Sequence, residues 1–144
     1  MKNTIIVDTG FWLALRNRKD AYHQQAKDCL HRYQKQRFIC TWPVMTESCY
    51  LLAKQLGNNA AVDFINLYGE RGFDVFDIVQ QHAEQIAVLM ERYRNLPMDL
   101  ADASLVLLAE ELGHGNILST DKRDFETYRW KQHDPFNNFL MMQV

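Results

Sequence analysis

The 144-residue chain is 47% hydrophobic and 24% charged, enough for one domain with a sizeable core and too short for two ordinary ones. This composition excludes a disordered chain. The formal net charge of -2 excludes a globally basic nucleic-acid binder, yet leaves room for a local basic rim or for bound cations that residue counting misses.

Thr4-Ile5-Ile6-Val7 reads as a short buried strand that ends in Asp8-Thr9-Gly10, with Phe11 to Leu15 opening a helix. A helix beginning near Ala21 carries Ala26, Cys29, Leu30 and Tyr33 at three-and-four spacing, and Phe38-Ile39-Cys40 is a second strand. Pro43 suits a first helical position, and the helix from Val44 to Leu56 stops at Gly57. Ala60 to Tyr68 forms another helix, Phe73 to Val79 alternates as a half-buried strand, and Ala83, Ile86, Ala87 and Met90 return to helical spacing. Asp99 to Leu112 reads as a strong helix ending at Gly113, Asn116 to Asp121 as a strand, and Phe139 to Met142 as a last strand. This alternation predicts one domain over residues 1–144, an α/β fold with a mostly parallel central sheet between helices.

Four carboxylates stand out. Asp8 and Asp121 directly follow apolar strands, where open α/β sheets collect ligands. Each could equally cap the helix that follows. Glu47 shares a helix face with Val44 and Leu51, and Asp102 precedes the apolar stripe of Leu105, Val106 and Ala109. A carboxylate on such a face needs a cation or a donor, unless it reaches water at the stripe's edge. Asp99 reads as the N-cap of the helix bearing Asp102. Several carboxylates with no His or Cys cluster suit Mg²⁺ or Mn²⁺ better than zinc, and the chemistry implied is metal-assisted phosphodiester hydrolysis.

Four segments, Ile-Ile-Val-Asp8-Thr9-Gly10, Glu47 within Pro-Val-Met-Thr-Glu-Ser, Asp99-Leu-Ala-Asp102-Ala-Ser-Leu, and Ser-Thr120-Asp121-Lys-Arg-Asp124-Phe125, resemble PIN-domain ribonucleases over almost the whole chain. The small VapC-like toxins of bacterial toxin–antitoxin pairs are the nearest form. The resemblance implies a three-layer α/β/α sandwich and an Mg²⁺- or Mn²⁺-dependent endoribonuclease. It further implies metal-binding roles for Asp8 and Asp102, with Glu47 and Asp121 completing an acidic catalytic pocket. Asp99 and Asp124 are possible additions, and Thr9 and Thr120 are small hydroxyl residues expected near the site. An antitoxin partner and a homodimer are the assemblies it implies.

Arg16, Arg18 and Lys122 follow the strand ends that carry the acids, and are the candidates for gripping RNA phosphates. Trp12, Trp42 and Trp130 read first as core residues and second as base-stacking surfaces. The five histidines lack zincin spacing, and no dinucleotide fingerprint, P-loop or nucleophile elbow occurs. The alternatives in other functional classes are a non-catalytic cation-binding module and a metal-dependent phosphatase for small esters, the latter weakened by the lack of an Asp-x-Asp after the first strand. Cys29, Cys40 and Cys49 form no close pair, Asp8 interrupts the only N-terminal apolar run, and no segment is long enough to span a membrane. A reduced, cytoplasmic protein is expected.

Overall fold

The computed structural model describes residues 3–142. Its centre is a five-stranded sheet in the order β3-β2-β1-β4-β7, parallel throughout: β1 (Thr4–Val7), β2 (Arg37–Thr41), β3 (Asp74–Phe76), β4 (Asn116–Leu118) and β7 (Asn137–Asn138). Helices α1 (Thr9–Arg16) and α2 (His23–Arg32) link β1 to β2, while α3 (Trp42–Leu56) and α4 (Asn58–Gly69) link β2 to β3. Then α5 (Ala83–Arg92) and α6 (Leu100–Leu112) carry the chain from β3 back past β1 to β4. Parallel crossovers are right-handed, so reversing the direction of travel puts α5 and α6 on the face opposite to α1–α4. The result is the expected three-layer α/β/α sandwich.

The reversal has a second consequence. Strand order switches between β1 and β4, and an open sheet leaves a crevice at the carboxyl ends of the strands at such a point. Asp8 follows β1, and Ser119 to Asp121 follow β4, so both segments border that crevice.

The strands are short because they are buried on both faces. Ile5, Ile6, Val7, Cys40, Ile117 and Leu118 are all inaccessible to solvent, as parallel strands between helical layers must be. Helix α6 is the central helix: Ala101 and every residue from 103 to 109 are buried. It packs on α5, on α3 and on the strands. A lone polar turn on this helix, Ser104, is satisfied by Thr41 at 2.6 Å and by the Ala101 carbonyl at 2.6 Å.

Three expected strands need correction. The ladder of β3 covers Asp74–Phe76 rather than residues 73–79, because the chain then turns into the 3₁₀ segment Gln80–His82. Likewise β4 ends at Leu118, since the Ser119 N–H donates to the Asn138 side chain at 3.2 Å instead of continuing the sheet. The last strand is the polar pair Asn137–Asn138, not Phe139 to Met142. Phe139 instead stacks on Tyr33, with ring centroids 5.3 Å apart, and Leu140 is buried. Two elements were not foreseen: helix α7 (Lys122–Thr127) and the small antiparallel pair β5 (Arg129–Trp130) and β6 (Asp134–Pro135).

Candidate active site

Asp8 ends β1 in an extended conformation and caps α1, accepting the Thr9 N–H on Oδ1 at 2.7 Å. Its Oδ2 accepts the Ser119 hydroxyl at 2.9 Å. The residue is only 7% exposed. Burial pushes its carboxyl up to about 6 against the lowering pull of Ser119 and Thr9, and the charges of Glu47 and Asp121 add to the rise. Capping and membership of an acidic pocket, posed as alternatives by the sequence, coexist in this residue.

Glu47 approaches from α3. The Thr9 hydroxyl donates to its Oε1 at 2.5 Å, so the turn that Asp8 caps also anchors the glutamate. Asp121 caps α7, accepting the Asp124 N–H at 3.3 Å, and its own N–H donates to Ser119 Oγ at 2.9 Å. Ser119 is wholly buried and joins the ends of β1 and β4 by donating to one aspartate and accepting from the backbone of another. Thr120 lies against Gly10. A Cβ on Gly10 would come within 1.8 Å of Thr120 Oγ1, so glycine is what lets these two turns meet.

Asp99 caps α6 as expected, accepting the Asp102 N–H at 2.8 Å. Asp102, one turn into α6, is half-buried and takes a hydrogen bond from Tyr128 OH at 2.9 Å. Its carboxyl is pushed up to about 8, first by desolvation, then by Asp99, Asp8 and Asp121. Asp124 is raised to about 6 by desolvation and by Asp121. These mutual influences place Asp8, Glu47, Asp99, Asp102, Asp121 and Asp124 in one electrostatic neighbourhood.

None of these six takes part in an ion pair among the described residues; the recorded pairs engage other acids, such as Asp63, Asp74 and Glu91. Asp8 and Asp102, desolvated beside other carboxylates and without an ion pair among the described residues, fit a divalent oxygen-seeking cation. Among the described residues, however, no three acidic, His or Cys side chains are already gathered as a metal cage. The donor chemistry fits the ion, and its ligand set closes only with further adjustment of the side chains or with water, which Mg²⁺ commonly retains.

The basic candidates lie apart from this pocket to different degrees. Arg16 ends α1, a helix that starts at the site, and is paired with Asp63 of α4 at 2.9 Å. Arg18 is exposed beyond that helix, and Lys122 is exposed on the first turn of α7, 4.0 Å from Glu126. Of the tryptophans, Trp12 is buried in the core. Trp42 is 41% exposed at the end of β2, held by Asp77 at 2.8 Å and edge-on to Tyr68.

Sequence reasoning missed Ser119, Tyr128 and Asn138. Ser119 sat beside the named Thr120 within Ser-Thr-Asp, and the period-two alternation of a strand would have aimed one of the two inward. Tyr128 follows the Phe125 position by three, the spacing of one face of a helix opened by Asp121. Asn138 carried no signal, because its role is to hold Ser119 through side-chain bonds to both its N–H and its carbonyl.

The chain is similar to known proteins in sequence and in fold. Ribonuclease VapC26 of Mycobacterium tuberculosis is 24% identical over 125 residues, spanning 87% of this chain and 92% of that protein. The crystal structure of Mycobacterium tuberculosis VapC20, a toxin that cleaves the sarcin-ricin loop, superposes with a TM-score of 0.72 at 25% identity, covering 81% of this chain and 89% of that one. The family model of the PIN domain matches residues 5–131, and the chain therefore belongs to the PIN-domain family.

Proposed function

We propose that this chain is a divalent-metal-dependent endoribonuclease, the toxin of a toxin–antitoxin pair. The observation that carries the reading is the row of acids at the switch point of the sheet, of which Asp8 and Asp102 are raised by burial and by neighbouring acids, and none of which enters an ion pair among the described residues. The similar proteins, a ribonuclease and a toxin that cleaves the sarcin-ricin loop, suggest the substrate class.

In this reading Asp8 and Asp102 hold Mg²⁺ or Mn²⁺, and Glu47 and Asp121 complete the acidic pocket. Such an ion, when bound, acidifies water and neutralises charge that builds on phosphate oxygens during in-line displacement. The protein's own work is orientation. Ser119 and the Thr9 N–H fix both oxygens of Asp8, and Thr9 Oγ1 fixes one oxygen of Glu47. Because the carboxyls of Asp8 and Asp102 sit high in the absence of a cation, metal uptake releases protons and is favoured by rising pH. Arg18 and Lys122 remain the candidates for phosphate contacts, both being exposed and Lys122 held only by a loose 4.0 Å pair with the exposed Glu126, whereas Arg16 must first leave Asp63 at 2.9 Å.

A cognate antitoxin and a homodimer belong to the same proposal. Val62, Ile65 and Leu67 are exposed on α4, beside a cleft of about 240 Å³ lined by Trp12, Leu15, Leu52 and Phe64. No helix is long and apolar enough to cross a membrane among the described residues, and a cytoplasmic site of action is proposed with the toxin role.

The test is incubation of wild type and the Asp8→Asn/Asp102→Asn variant with a mixed RNA pool and with nitrophenyl phosphate, in Mn²⁺, Mg²⁺ or EDTA. RNA cleavage that needs the metal, vanishes in the folded variant and spares the small ester is the expected outcome. Cleavage that persists unchanged in the variant removes these acids from the chemistry.

A further inference from the structure

We infer that Tyr128 is a positioning residue for the cation site: its hydroxyl occupies Oδ2 of Asp102, leaving Oδ1 as the oxygen available to a metal ion. The inference rests on the metal-dependent reading above and adds to it a residue outside the acidic row.

The tyrosine's ring is fully buried, edge-on to Tyr93 at 5.1 Å and to Phe125 at 5.2 Å. A phenylalanine would fill that space as well, without the cost of desolvating a hydroxyl. The hydroxyl is instead turned to Asp102 Oδ2 at 2.9 Å. Toward a carboxylate a phenol can only donate.

Its place is set by the residues that follow it. The next residue, Arg129, donates its N–H to Tyr93 OH at 3.0 Å, and Lys131 donates its N–H to Glu110 Oε2 at 2.7 Å. Glu110 lies on α6, the helix that bears Asp102, and also accepts from Gln85 of α5. Tyr128 and Asp102 are thus held to one another through a common helix, the condition under which a hydrogen bond orients a ligand rather than following it. The arrangement parallels that of Asp8, whose Oδ2 is likewise taken by a hydroxyl, from Ser119.

The experiment titrates metal-free protein with Mn²⁺ at pH 7, reading the free ion by electron paramagnetic resonance, for wild type, Tyr128→Phe and Tyr93→Phe. Loss of an outer hydrogen bond to a metal ligand typically weakens affinity by about 10- to 100-fold. Tyr128→Phe is expected to weaken Mn²⁺ binding at least about 10-fold, with its thermal midpoint in EDTA close to that of wild type. Its RNA cleavage should recover at saturating Mn²⁺, a split that loss of packing would not produce. Tyr93→Phe, which removes a hydroxyl that holds the Arg129 N–H and does not touch Asp102, should weaken Mn²⁺ binding less than Tyr128→Phe does. Equal binding by wild type and Tyr128→Phe overturns the inference and leaves the functional reading standing. Equal weakening in both variants also overturns it, assigning the effect to the packing of this segment. Failure of the wild type to take up Mn²⁺ overturns both.

Discussion

The two ends of the sheet treat their acids in opposite ways. At the amino ends, Asp74 opens β3 beside Arg37, which opens β2, and the guanidinium reaches both carboxylate oxygens, at 2.6 and 3.3 Å. At the carboxyl ends, Asp8 is buried and receives only a hydroxyl and a backbone N–H. An acid beside a guanidinium is already neutralised and has nothing left for a ligand. An acid desolvated among other acids is stabilised by protonation or by a cation, and this is a common mark of a functional site. The contrast marks the carboxyl edge as the candidate site without reference to any relative.

Breaking the carboxyl edge should give the larger effects. Gly10→Ala places a methyl group where Thr120 Oγ1 now lies, forcing apart the turns that bring Asp8 to Ser119. Overpacking of this kind costs about 1–3 kcal/mol, and RNA cleavage should fall at least about 10-fold, each 1.4 kcal/mol of lost positioning corresponding to a factor of ten. Unfolding curves and initial rates check it; a variant with wild-type rates would detach the Gly10–Thr120 contact from the site.

Next in size is a change of sign. In the metal-free protein the folded state holds the Asp8 proton up to about pH 6, whereas the unfolded chain releases it near its ordinary value of 3.8. Folded protein therefore binds more protons across that window, and stability falls as pH rises through it. Asp8→Asn removes this dependence while keeping a capping oxygen. In EDTA at pH 8 the variant should be more stable than wild type by about 3 kcal/mol, a rise of several degrees in thermal midpoint, with little difference at pH 4. Asp102 acts in the same direction over a window reaching about pH 8. A variant less stable than wild type at pH 8 would mean that Asp8 is satisfied without a cation.

Breaking the amino edge should do least. Arg37 and Asp74 are both substantially exposed, and an exposed pair contributes about 0–1 kcal/mol. Arg37→Ala should shift the thermal midpoint by at most a few degrees and leave RNA cleavage at the wild-type rate. A large loss of activity would carry the functional surface to the wrong end of the sheet.

The sequence made legible the parts of this molecule that apolar periodicity dictates. Ile5 to Val7, the stripe of α6 and the Pro43 start of α3 all specify burial locally, and the acids that break those patterns became the site candidates. What stayed hidden depends on contacts between distant segments. The β7 strand is two asparagines, paired to β4 through the backbone and through the Asn137 side chain, which donates to Asn116 Oδ1 at 3.3 Å, while the apolar residues beside it pack on Tyr33 and the core. Tyr128 meets Asp102 across 26 positions, and Ser119 meets Asp8 across 111, so neither donor is visible from the spacing around its own aspartate. Asp99 was the opposite case: Pro-Met-Asp before an apolar run declared the cap, and the cap is there.

The central claim is that the carboxyl edge holds a divalent cation, and thermal unfolding of metal-free protein at pH 7 with increasing Mn²⁺ tests it directly. Wild type should gain about 2.7 kcal/mol when free Mn²⁺ reaches a hundredfold its Kd, with a corresponding rise in midpoint, while Asp8→Asn/Asp102→Asn should start higher in EDTA and gain almost nothing. Equal gains in both proteins, or none in wild type, would contradict it.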